Sequence, residues 1–413
     1  MAWEKEGYTT VEDALRKVKR CLRAEVKTET VATKESFGRI AARDLFSPSD
    51  MPPFDISHMD GFAVIASDLK TATKTRPTVL KMAGESKLGA KPGPSARHRQ
   101  AIHVFTGSPV PPGADAVIPL ERAEVREGVI SVAYPPDRGS FVYAKGNDLR
   151  KGERVVKKGQ TIRAQDVGAL LSLGLKKVRV RRRLLASVIA TGSELTDEVE
   201  PAQEKVVNSH GPYFLSLLHA LGCVPVDMGV AKDDPAEIRG ALRTALARSD
   251  FVLTLGGTSV GRADLVGEAV RSLGPAVFVQ GIKMDRGRVA GIAVIEGKPV
   301  LMMPGPIQGA MNAFVLLGAR VIGWLQGGGK IGVEVSCPLE GQWEARKRFS
   351  HFRKVLYVKL VPGDRTSARP LAGDTESIKV LCEADGYVVV PEEVAHLAEG
   401  SVVRVNLFPG FSF

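Results

Sequence analysis

The sequence has only four cysteines among its 413 residues, and no two of them are close together. Cys21, Cys223, Cys337 and Cys382 show no CxxC spacing, so we expect free thiols in a reducing compartment rather than disulfides or a thiolate zinc site. The seven histidines include no HExxH pair, which argues against a zinc hydrolase. The GxxxxGK[ST] loop of P-loop nucleotidases is also absent.

Long hydrophobic runs are missing as well. No apolar segment approaches the roughly 20 residues that a membrane helix needs. The first residues, MAWEKEGYTTVEDALRK, are polar and charged, unlike a secretory signal. Hydrophobic residues make up 44% and charged residues 25%, which is ordinary globular composition rather than disorder. We therefore expect a soluble, cytoplasmic, multidomain protein with no membrane partner.

The net charge of +11 suits an anionic partner. Local basic clusters occur at residues 181–183 and 346–354, each interleaved with residues typical of strands. A solvated strand face is the simplest interpretation of both clusters. An anionic small ligand is the main alternative, and a nucleic-acid surface is the weakest of the three.

The pattern along the chain predicts four parts. Residues 11–23 have the apolar spacing of an amphipathic helix. Short β-like runs divided by glycine and proline then begin near Pro52, and an alternation of strands and helices begins near Leu184. The predicted parts are an N-terminal and linking domain (1–50 and 141–183), a β-rich inserted domain (51–140), an α/β domain (184–326) and a C-terminal β-domain (330–413).

Strands alternating with helices over residues 184–326 predict a parallel, doubly wound sheet, and the fold class is therefore multidomain α/β plus β. Ligands of such sheets bind at the carboxyl ends of the strands. That rule brings the loops TGSEL, AKDD, GGTSVGRAD and MPGP to one edge of the sheet.

These loops combine two chemical types. Small residues with exposed backbone N–H groups suit a phosphate, although GGTSVG alone is also compatible with a structural turn. Three carboxylates, Glu194, Asp233 and Asp264, suit Mg²⁺ or another hard cation if their loops converge. Each carboxylate alone could equally cap a helix or a loop. The glycine-rich candidates for phosphate binding are Gly256, Gly257, Ser259 and Gly261.

Two segments of the β-rich insertion are unusual in composition. PPFDISHMDGFAV places Asp60 beside a flexible turn, and a plain turn aspartate is the alternative interpretation. FTGSPVPPGADAVIPLE is dense in glycine and proline and contains Thr106 and Glu121. Since strand-like runs flank it, it predicts a rigid shaped loop rather than a linker.

Together these segments resemble the MoeA family, whose eukaryotic counterpart is the E domain of gephyrin. The similarity is carried by PPFDISHMDGFAV, FTGSPVPPGADAVIPLE, KGNDLRKGERV, ATGSEL, GGTSVGRADLV and EADGYVVVPE, which occur in family order across nearly the whole chain. Each motif is weak alone, whereas the ordered set is specific.

The resemblance implies a molybdopterin molybdenumtransferase, which inserts molybdate or tungstate into adenylylated molybdopterin with Mg²⁺ and releases AMP. It also implies a homodimer, with the active site between the α/β domain of one subunit and the β-rich insertion of the other. Other cofactor-assembly proteins are possible partners, and nucleic acid is not. The implied catalytic residues are Asp60, Thr106, Glu194, Asp233 and Asp264, with Glu194 and Asp264 as metal ligands. The implied substrate-binding residues are Gly256, Gly257, Ser259, Gly261, Lys283, Arg288, Pro304 and Gly305.

Three departures from the family pattern bear on ligand choice. Arg286-Gly287-Arg288-Val289 stands where the family has PGKP, and Met303-Pro304-Gly305-Pro306-Ile307 stands where it has LPGNP. Lys379-Val380 replaces a usual Ser-Ser pair. These changes keep a second hypothesis open, a non-catalytic molybdopterin-binding or scaffolding paralogue. A third hypothesis, a CinA-like nucleotide hydrolase, is opposed by the MDG and TGSP motifs.

Overall fold

The computed structural model describes residues 7–23, 26–200, 204–258, 264–328 and 332–409. The chain divides into two compact units, one formed by Thr30–Val180 and one formed by Met1–Glu29 together with Arg181–Phe413. Among the described residues, we find no helix that is both long enough and apolar enough to span a bilayer.

Helix α1 (Val11–Cys21) confirms the amphipathic helix predicted near the N-terminus. Thr10 caps it by accepting a hydrogen bond from the Asp13 backbone N–H at 3.1 Å. Acidic residues occupy the first turn and basic residues the last, which complements the helix dipole. One face buries Val11, Ala14, Leu15 and Val18 in the core that also contains the large sheet.

The β-rich part of the chain contains a six-stranded sheet of order β7-β4-β6-β5-β9-β8. Only β5 and β6 are parallel neighbours, and the other pairs are antiparallel. Phe62, Leu80, Ile118 and Ile130 fill its core. The strands up to this sheet's end are β1 (Thr28–Ala32), β2 (Leu45–Phe46), β3 (Ile56–Ser57), β4 (Gly61–Val64), β5 (Thr78–Ser86), β6 (Gln100–Val104), β7 (Ala116–Pro119), β8 (Glu124–Arg126) and β9 (Val129–Val132).

Segments from before and after this sheet share a second, smaller core. It contains Ala41 and Leu45 from the first segment, and Val156, Ile162 and Leu170 from the second. Strand β2 pairs with β11, β1 with β12 and β3 with β10. The remaining elements here are β10 (Val142–Tyr143), β11 (Arg154–Val156), α2 (Ala164–Ser172), β12 (Lys177–Arg181) and the short 3-10 turns Thr33–Glu35, Ala66–Leu69 and Leu120–Arg122.

The α/β part has a six-stranded sheet of order β16-β13-β17-β20-β19-β18. Strands β13, β17, β19 and β20 are buried on both faces, which explains their nearly continuous apolar sequences. The elements are β13 (Leu185–Thr191), β14 (Leu195–Thr196), β15 (Val206–Val207), α3 (His210–Ala220), β16 (Val224–Ala231), α4 (Pro235–Arg248), β17 (Phe251–Leu255), α5 (Leu265–Ser272), β18 (Val277–Gln280), β19 (Gly291–Ile295), β20 (Lys298–Met303), α6 (Ile307–Ala313), the π-helical turn Phe314–Gly318 and α7 (Ala319–Leu325).

The prediction of a parallel sheet was wrong for one edge. Strands β16, β13, β17 and β20 are parallel neighbours, but β19 runs antiparallel to both β20 and β18. The cause is a tight turn at Glu296-Gly297, where φ is +51° and +80°. Two consecutive positive φ values favour a hairpin, and Ile295 accordingly pairs with Lys298. The sheet is therefore mixed, and β19 was not predicted.

The C-terminal part is a five-stranded antiparallel sheet of order β21-β27-β25-β23-β24. Leu356, Val358, Val388 and Val405 lie in its core. Its elements are β21 (Glu334–Pro338), β22 (Trp343–Glu344), the 3-10 turn Lys347–Phe349, β23 (Lys354–Val361), β24 (Ser367–Pro370), α8 (Ile378–Glu383), β25 (Gly386–Val390), β26 (His396–Leu397) and β27 (Val402–Leu407). Tyr357 donates a 2.7 Å hydrogen bond to Asn312 of α6, so this sheet contacts the α/β part directly.

Candidate active site

A cavity of about 490 Å³ opens at the carboxyl ends of the parallel strands, where the sequence placed the ligand. The loop after β13 contributes Glu194, the loop after β16 contributes Asp233, and the loop after β17 contributes Gly256 and Gly257. Gly305, from the loop after β20, completes the set of strand-end loops. Loops predicted to share one edge of the sheet therefore do line one cavity.

The turn at Gly256 and Gly257 requires glycine for steric reasons. Both residues have positive φ, +86° and +61°. A Cβ on Gly256 would lie 2.6 Å from the backbone oxygen of Thr191, and one on Gly257 would lie 2.6 Å from the Cγ2 atom of Val266. The backbone therefore approaches its neighbours more closely than any side chain permits. The next predicted ligands, Ser259 and Gly261, fall outside the described residues.

Asp233 is held in place by the loop that carries Glu194. The Ser193 backbone N–H donates to an Asp233 carboxylate oxygen at 3.0 Å, and the Ser193 hydroxyl accepts from the Asp233 backbone N–H at 3.0 Å. Glu194 is exposed, and its carboxylate folds back over Gly192, where a Cβ would lie 2.6 Å from its Oε1. Both acids line the same cavity, so two oxygen ligands of the predicted kind are brought together.

Asp264 is placed differently from the expectation that three carboxylates converge. It caps α5 by accepting from the Gly267 backbone N–H at 3.2 Å, and it accepts from the Gln280 side chain at 3.0 Å. Arg271 lies 3.4 Å away and balances its charge. Asp264 is 8% exposed and does not belong to the described lining of the cavity. The contacts of Asp264 are those of a helix cap, which was the structural alternative for this residue. A role as metal ligand stays a prediction.

Sequence reasoning missed two ionisable residues that line the cavity. His210 is the first residue of α3, and Glu376 lies just before α8. The start of α3 immediately after a short strand could have suggested His210, because helix N-termini in α/β domains often face ligands. No local signal marks Glu376, which reaches the cavity from the C-terminal part of the chain.

Lys283 and Arg288, predicted to bind substrate, line a second cavity of about 390 Å³. The Arg288 guanidinium lies 5.5 Å from the ring centre of Phe349, and Arg348 is at the same distance from that ring. Lys283 lies 3.8 Å from Glu392. Neither Lys283 nor Arg288 belongs to the described lining of the cavity beside the glycine turn. The predicted Pro304 is buried next to that cavity's Gly305 without lining it.

The departures from the family pattern have distinct environments. Arg286, at φ +51°, donates to the Gln308 side chain, and Gln308 in turn donates to the Ser377 carbonyl at 3.0 Å. Arg286 therefore contacts the residue that directly follows the altered segment 303–307, and that residue contacts the loop that carries Glu376. Lys379 is exposed and lies 3.6 Å from Glu383, while Val380 is buried in the core. Neither residue belongs to the described lining of either cavity, and the bearing of this departure on ligand choice stays a prediction.

Asp60 and Thr106 lie in the other compact unit, on loops at the ends of β4 and β6. The Asp60 carboxylate accepts hydrogen bonds from the Thr106 backbone N–H at 2.7 Å and from its hydroxyl at 2.9 Å. These bonds lower the pKa of Asp60, the backbone bond being the larger cause. The sequence segments that carry the two residues therefore form one exposed polar site.

Comparisons with known proteins cover nearly the whole chain. A family model described as MoeA N-terminal region (domain I and II) matches residues 9–174. A model described as probable molybdopterin binding domain matches residues 187–323, and one described as MoeA C-terminal region (domain IV) matches residues 338–408. The family models thus include the β-rich inserted part and the C-terminal part as well as the α/β part. This argues against the third hypothesis, a CinA-like hydrolase.

Individual relatives agree with the family models. The molybdopterin molybdenumtransferase of Haemophilus influenzae is 31% identical over 320 residues, covering 77% of this chain and 78% of that protein. That of Staphylococcus aureus is 29% identical over 317 residues, covering 76% and 75%. The crystal structure of a molybdopterin biosynthesis MoeA protein from Pyrococcus horikoshii superposes with a TM-score of 0.84 at 32% identity, covering 98% of this chain and 100% of that one.

Proposed function

The chain belongs to the MoeA family, and on that premise we propose that it is a molybdopterin molybdenumtransferase of molybdenum-cofactor biosynthesis. In this proposal it inserts molybdate, or tungstate, into adenylylated molybdopterin and releases AMP. The observation that carries the proposal is the cavity in which a glycine turn and two carboxylates meet at the carboxyl ends of the strands.

The glycine turn supports the binding of a phosphorylated substrate. Because Gly256 and Gly257 have no side chains, an anion can approach their backbone closely, and neighbouring backbone N–H groups in such a turn favour phosphate oxygens. Thr258, whose hydroxyl lies 3.3 Å from the Met303 carbonyl, fixes the turn against β20. In the proposal, this arrangement holds the phosphoanhydride of the substrate in one orientation, which lowers the entropic cost of reaching the transition state.

The carboxylates fit a magnesium ion, because Mg²⁺ in proteins is commonly held by one or two carboxylates together with substrate phosphates. Glu194 and Asp233 are the residues that would hold it, and no group of three or more metal-binding side chains occurs in the described part of the chain. When bound, the ion supplies charge neutralisation at the phosphate. The role of Ser193 is then to keep Asp233 oriented through its two hydrogen bonds.

We further propose that the active enzyme is a homodimer in which Asp60 and Thr106 of one subunit complete the cavity of the other. The support is chemical: two hydrogen bonds from Thr106 fix the Asp60 carboxylate, and both residues are exposed on loops at the ends of β4 and β6. Co-expressing Asp60→Asn and Glu194→Gln subunits tests the sharing. If both variants are inactive alone, a random mixture should recover about a quarter of the parent activity. About half of the dimers are then heterodimers, and one of the two sites in each heterodimer is intact. No recovery would exclude a shared site.

The reaction itself is tested by incubating the purified chain with adenylylated molybdopterin and then adding molybdate and MgCl₂. We expect AMP to be released only after molybdate is added, and a Glu194→Gln variant to release it at least about a hundredfold more slowly. Tight binding of the pterin without AMP release would instead support the scaffolding alternative, which the altered segments 286–289, 303–307 and 379–380 keep open. We also propose that the protein works in the cytoplasm, where other cofactor-assembly proteins would supply its substrate.

A further inference from the structure

The described lining of the cavity carries acidic side chains and no basic ones. Glu194, Asp233 and Glu376 line it, whereas no lysine or arginine does. A phosphorylated ligand is itself an anion, so three carboxylates repel it unless positive charge is supplied, in part by the magnesium ion proposed for Glu194 and Asp233 and in part by the protein. His210 is the one residue of the described lining that can become positively charged near neutral pH.

The position of His210 is fixed by its neighbours. Asn208 caps the start of α3 by accepting from the Gly211 backbone N–H at 3.0 Å, and its amide donates to Asp197 at 2.9 Å. The His210 ring shares the cavity lining with Gly305, whose backbone carbonyl favours the protonated ring. In a neutral imidazole with one nitrogen donating, the other nitrogen is an acceptor that can take up a proton.

The groups around His210 decide its charge in the free protein. Burial lowers the pKa of His210, and the negative charge of Glu376 and the Gly305 backbone carbonyl oppose this effect. The position at a helix N-terminus also disfavours the charged ring. Tyr213, one turn along α3, is kept neutral because burial raises its pKa to about 12, and Cys382 of α8 acts on Tyr213 in the same direction. Across the cavity, the ionisable side chains of the described lining are Glu194 and Asp233, and Lys205 donates to the Ser193 carbonyl beside them at 2.7 Å.

We propose that His210 takes up a proton when a phosphorylated ligand enters this cavity, and that the resulting imidazolium binds the ligand's phosphate while Glu376 stabilises its charge. The proton comes from solvent and goes to the free ring nitrogen, and no covalent bond is made or broken. The inference rests on the proposed function insofar as it places the phosphate of the substrate in this cavity. It adds a residue that makes binding depend on pH.

The experiment uses AMP, with adenosine as the probe that lacks phosphate, and measures binding to the full-length protein by calorimetry. Titrations at about pH 7.5 in two buffers with different ionisation enthalpies give the number of protons taken up. We expect AMP binding to take up a measurable fraction of one proton, and adenosine binding to take up none. The affinity for AMP should increase as the pH falls toward about 6.

His210→Gln keeps a donor for Gly305 but cannot be protonated. It should abolish the proton uptake and weaken AMP binding about tenfold, as expected for loss of one hydrogen bond to a charged group. His219→Gln, at the exposed end of the same helix, is the matched control and should change neither quantity. Glu376→Gln should reduce the proton uptake because the imidazolium loses its counter-charge.

Unchanged proton uptake and affinity in His210→Gln would overturn the inference, as would an absence of AMP binding by the parent protein. Both results are separable from failure of the proposed function. Molybdate-dependent AMP release by the parent, with normal release by His210→Gln, would leave the transferase proposal standing while removing the role of His210.

Discussion

Asp60 accepts two hydrogen bonds from a single residue, Thr106, through the backbone N–H at 2.7 Å and the hydroxyl at 2.9 Å. The two residues are 46 positions apart in sequence, and they meet because β4 and β6 are antiparallel neighbours in the inserted sheet. Both donors favour the ionised carboxylate, which is why the pKa of Asp60 is lowered. The pair thus fixes the direction of an exposed negative charge.

Replacing Thr106 by valine tests this relationship. Thr106→Val keeps the backbone bond and removes the hydroxyl bond, so the pKa of Asp60 should rise but stay below its ordinary value. Because the folded pKa is depressed, the contribution of Asp60 to stability is present above the unfolded pKa and is lost as pH falls through the folded value. NMR titration of the Asp60 carboxyl carbon measures the change. Thr106→Ser is the control, and an equal rise in both variants would contradict the account.

Gly256 gives a prediction about the phosphate-binding turn. An alanine there would have φ near +86° and a Cβ 2.6 Å from the Thr191 backbone oxygen. Gly256→Ala should therefore destabilise the fold by about 2 kcal/mol and abolish AMP binding. Gly240→Ala, in the exposed middle of α4 where a Cβ meets nothing within 4 Å, should instead stabilise by roughly 0.5–1 kcal/mol. Urea unfolding measures the free energy of unfolding of both variants. An unchanged value for Gly256→Ala would refute the steric argument.

Asp264 offers a way to separate capping from chemistry. Asp264→Ala removes the cap of α5 and leaves the Gln280 amide without its partner, so it should cost about 2–3 kcal/mol of unfolding free energy. Asp264→Asn keeps an oxygen for the Gly267 N–H and should cost less than about 1 kcal/mol. If Asp264 also ligates a metal, the asparagine variant should still lose Mg²⁺-dependent AMP release. Normal release by a stable Asp264→Asn would confine this residue to its capping role.

Burial of His210 predicts a pH dependence of stability. Its folded pKa is lowered, so the unfolded chain binds more protons between that value and the ordinary 6.5. Stability should therefore fall as pH decreases through this window, and the penalty should be complete below the folded pKa. His210→Gln should lose less stability between about pH 7.5 and pH 5 than the parent, measured by chemical denaturation. A larger loss in the variant would mean that the ring is charged in the free protein.

Lys354 is buried in the C-terminal sheet, with 2% of its surface exposed. Its ammonium group donates to the carbonyls of Ser350 at 2.6 Å and Val394 at 2.7 Å, and to that of Glu392 at 3.3 Å. Lys354→Met leaves these carbonyls without a donor and should destabilise the protein by about 2–4 kcal/mol. Lys359→Met, on an exposed position of the same strand, should change stability by less than about 0.5 kcal/mol. Comparable unfolding midpoints for the two variants would argue against a stabilising role for the hydrogen bonds of Lys354.

Those parts of the fold that depend on local pattern were predictable from the sequence. The apolar spacing predicted α1, and the structure confirms that helix. The start of α4 depends on a local pattern of the same kind, because Asp234 caps it through the Ala236 and Glu237 N–H groups. The antiparallel direction of β19 could not be predicted, because it depends on the turn at Glu296-Gly297 rather than on the apolar run of the strand itself. A short buried strand carries no signal for direction.

The candidate site was predictable to the extent that strand ends determine it. Glu194, Asp233 and the two glycines follow strands directly, so the topological rule placed them at one cavity. Asp264 could not be placed in the same way, because its partners Gln280 and Arg271 come from later elements that only the fold brings near it. Glu376 reaches the cavity from a loop more than a hundred residues beyond the last of these carboxylates, and no sequence pattern marks that approach.

The most direct test of the proposed site is a crystal structure of the chain with AMP or adenylylated molybdopterin bound. We predict that the phosphate lies beside the backbone of Gly256 and Gly257, within hydrogen-bonding distance of the His210 ring, with Glu194 and Asp233 on its other side. A phosphate found instead in the second cavity, against Arg288 and Arg348, would contradict the central claim.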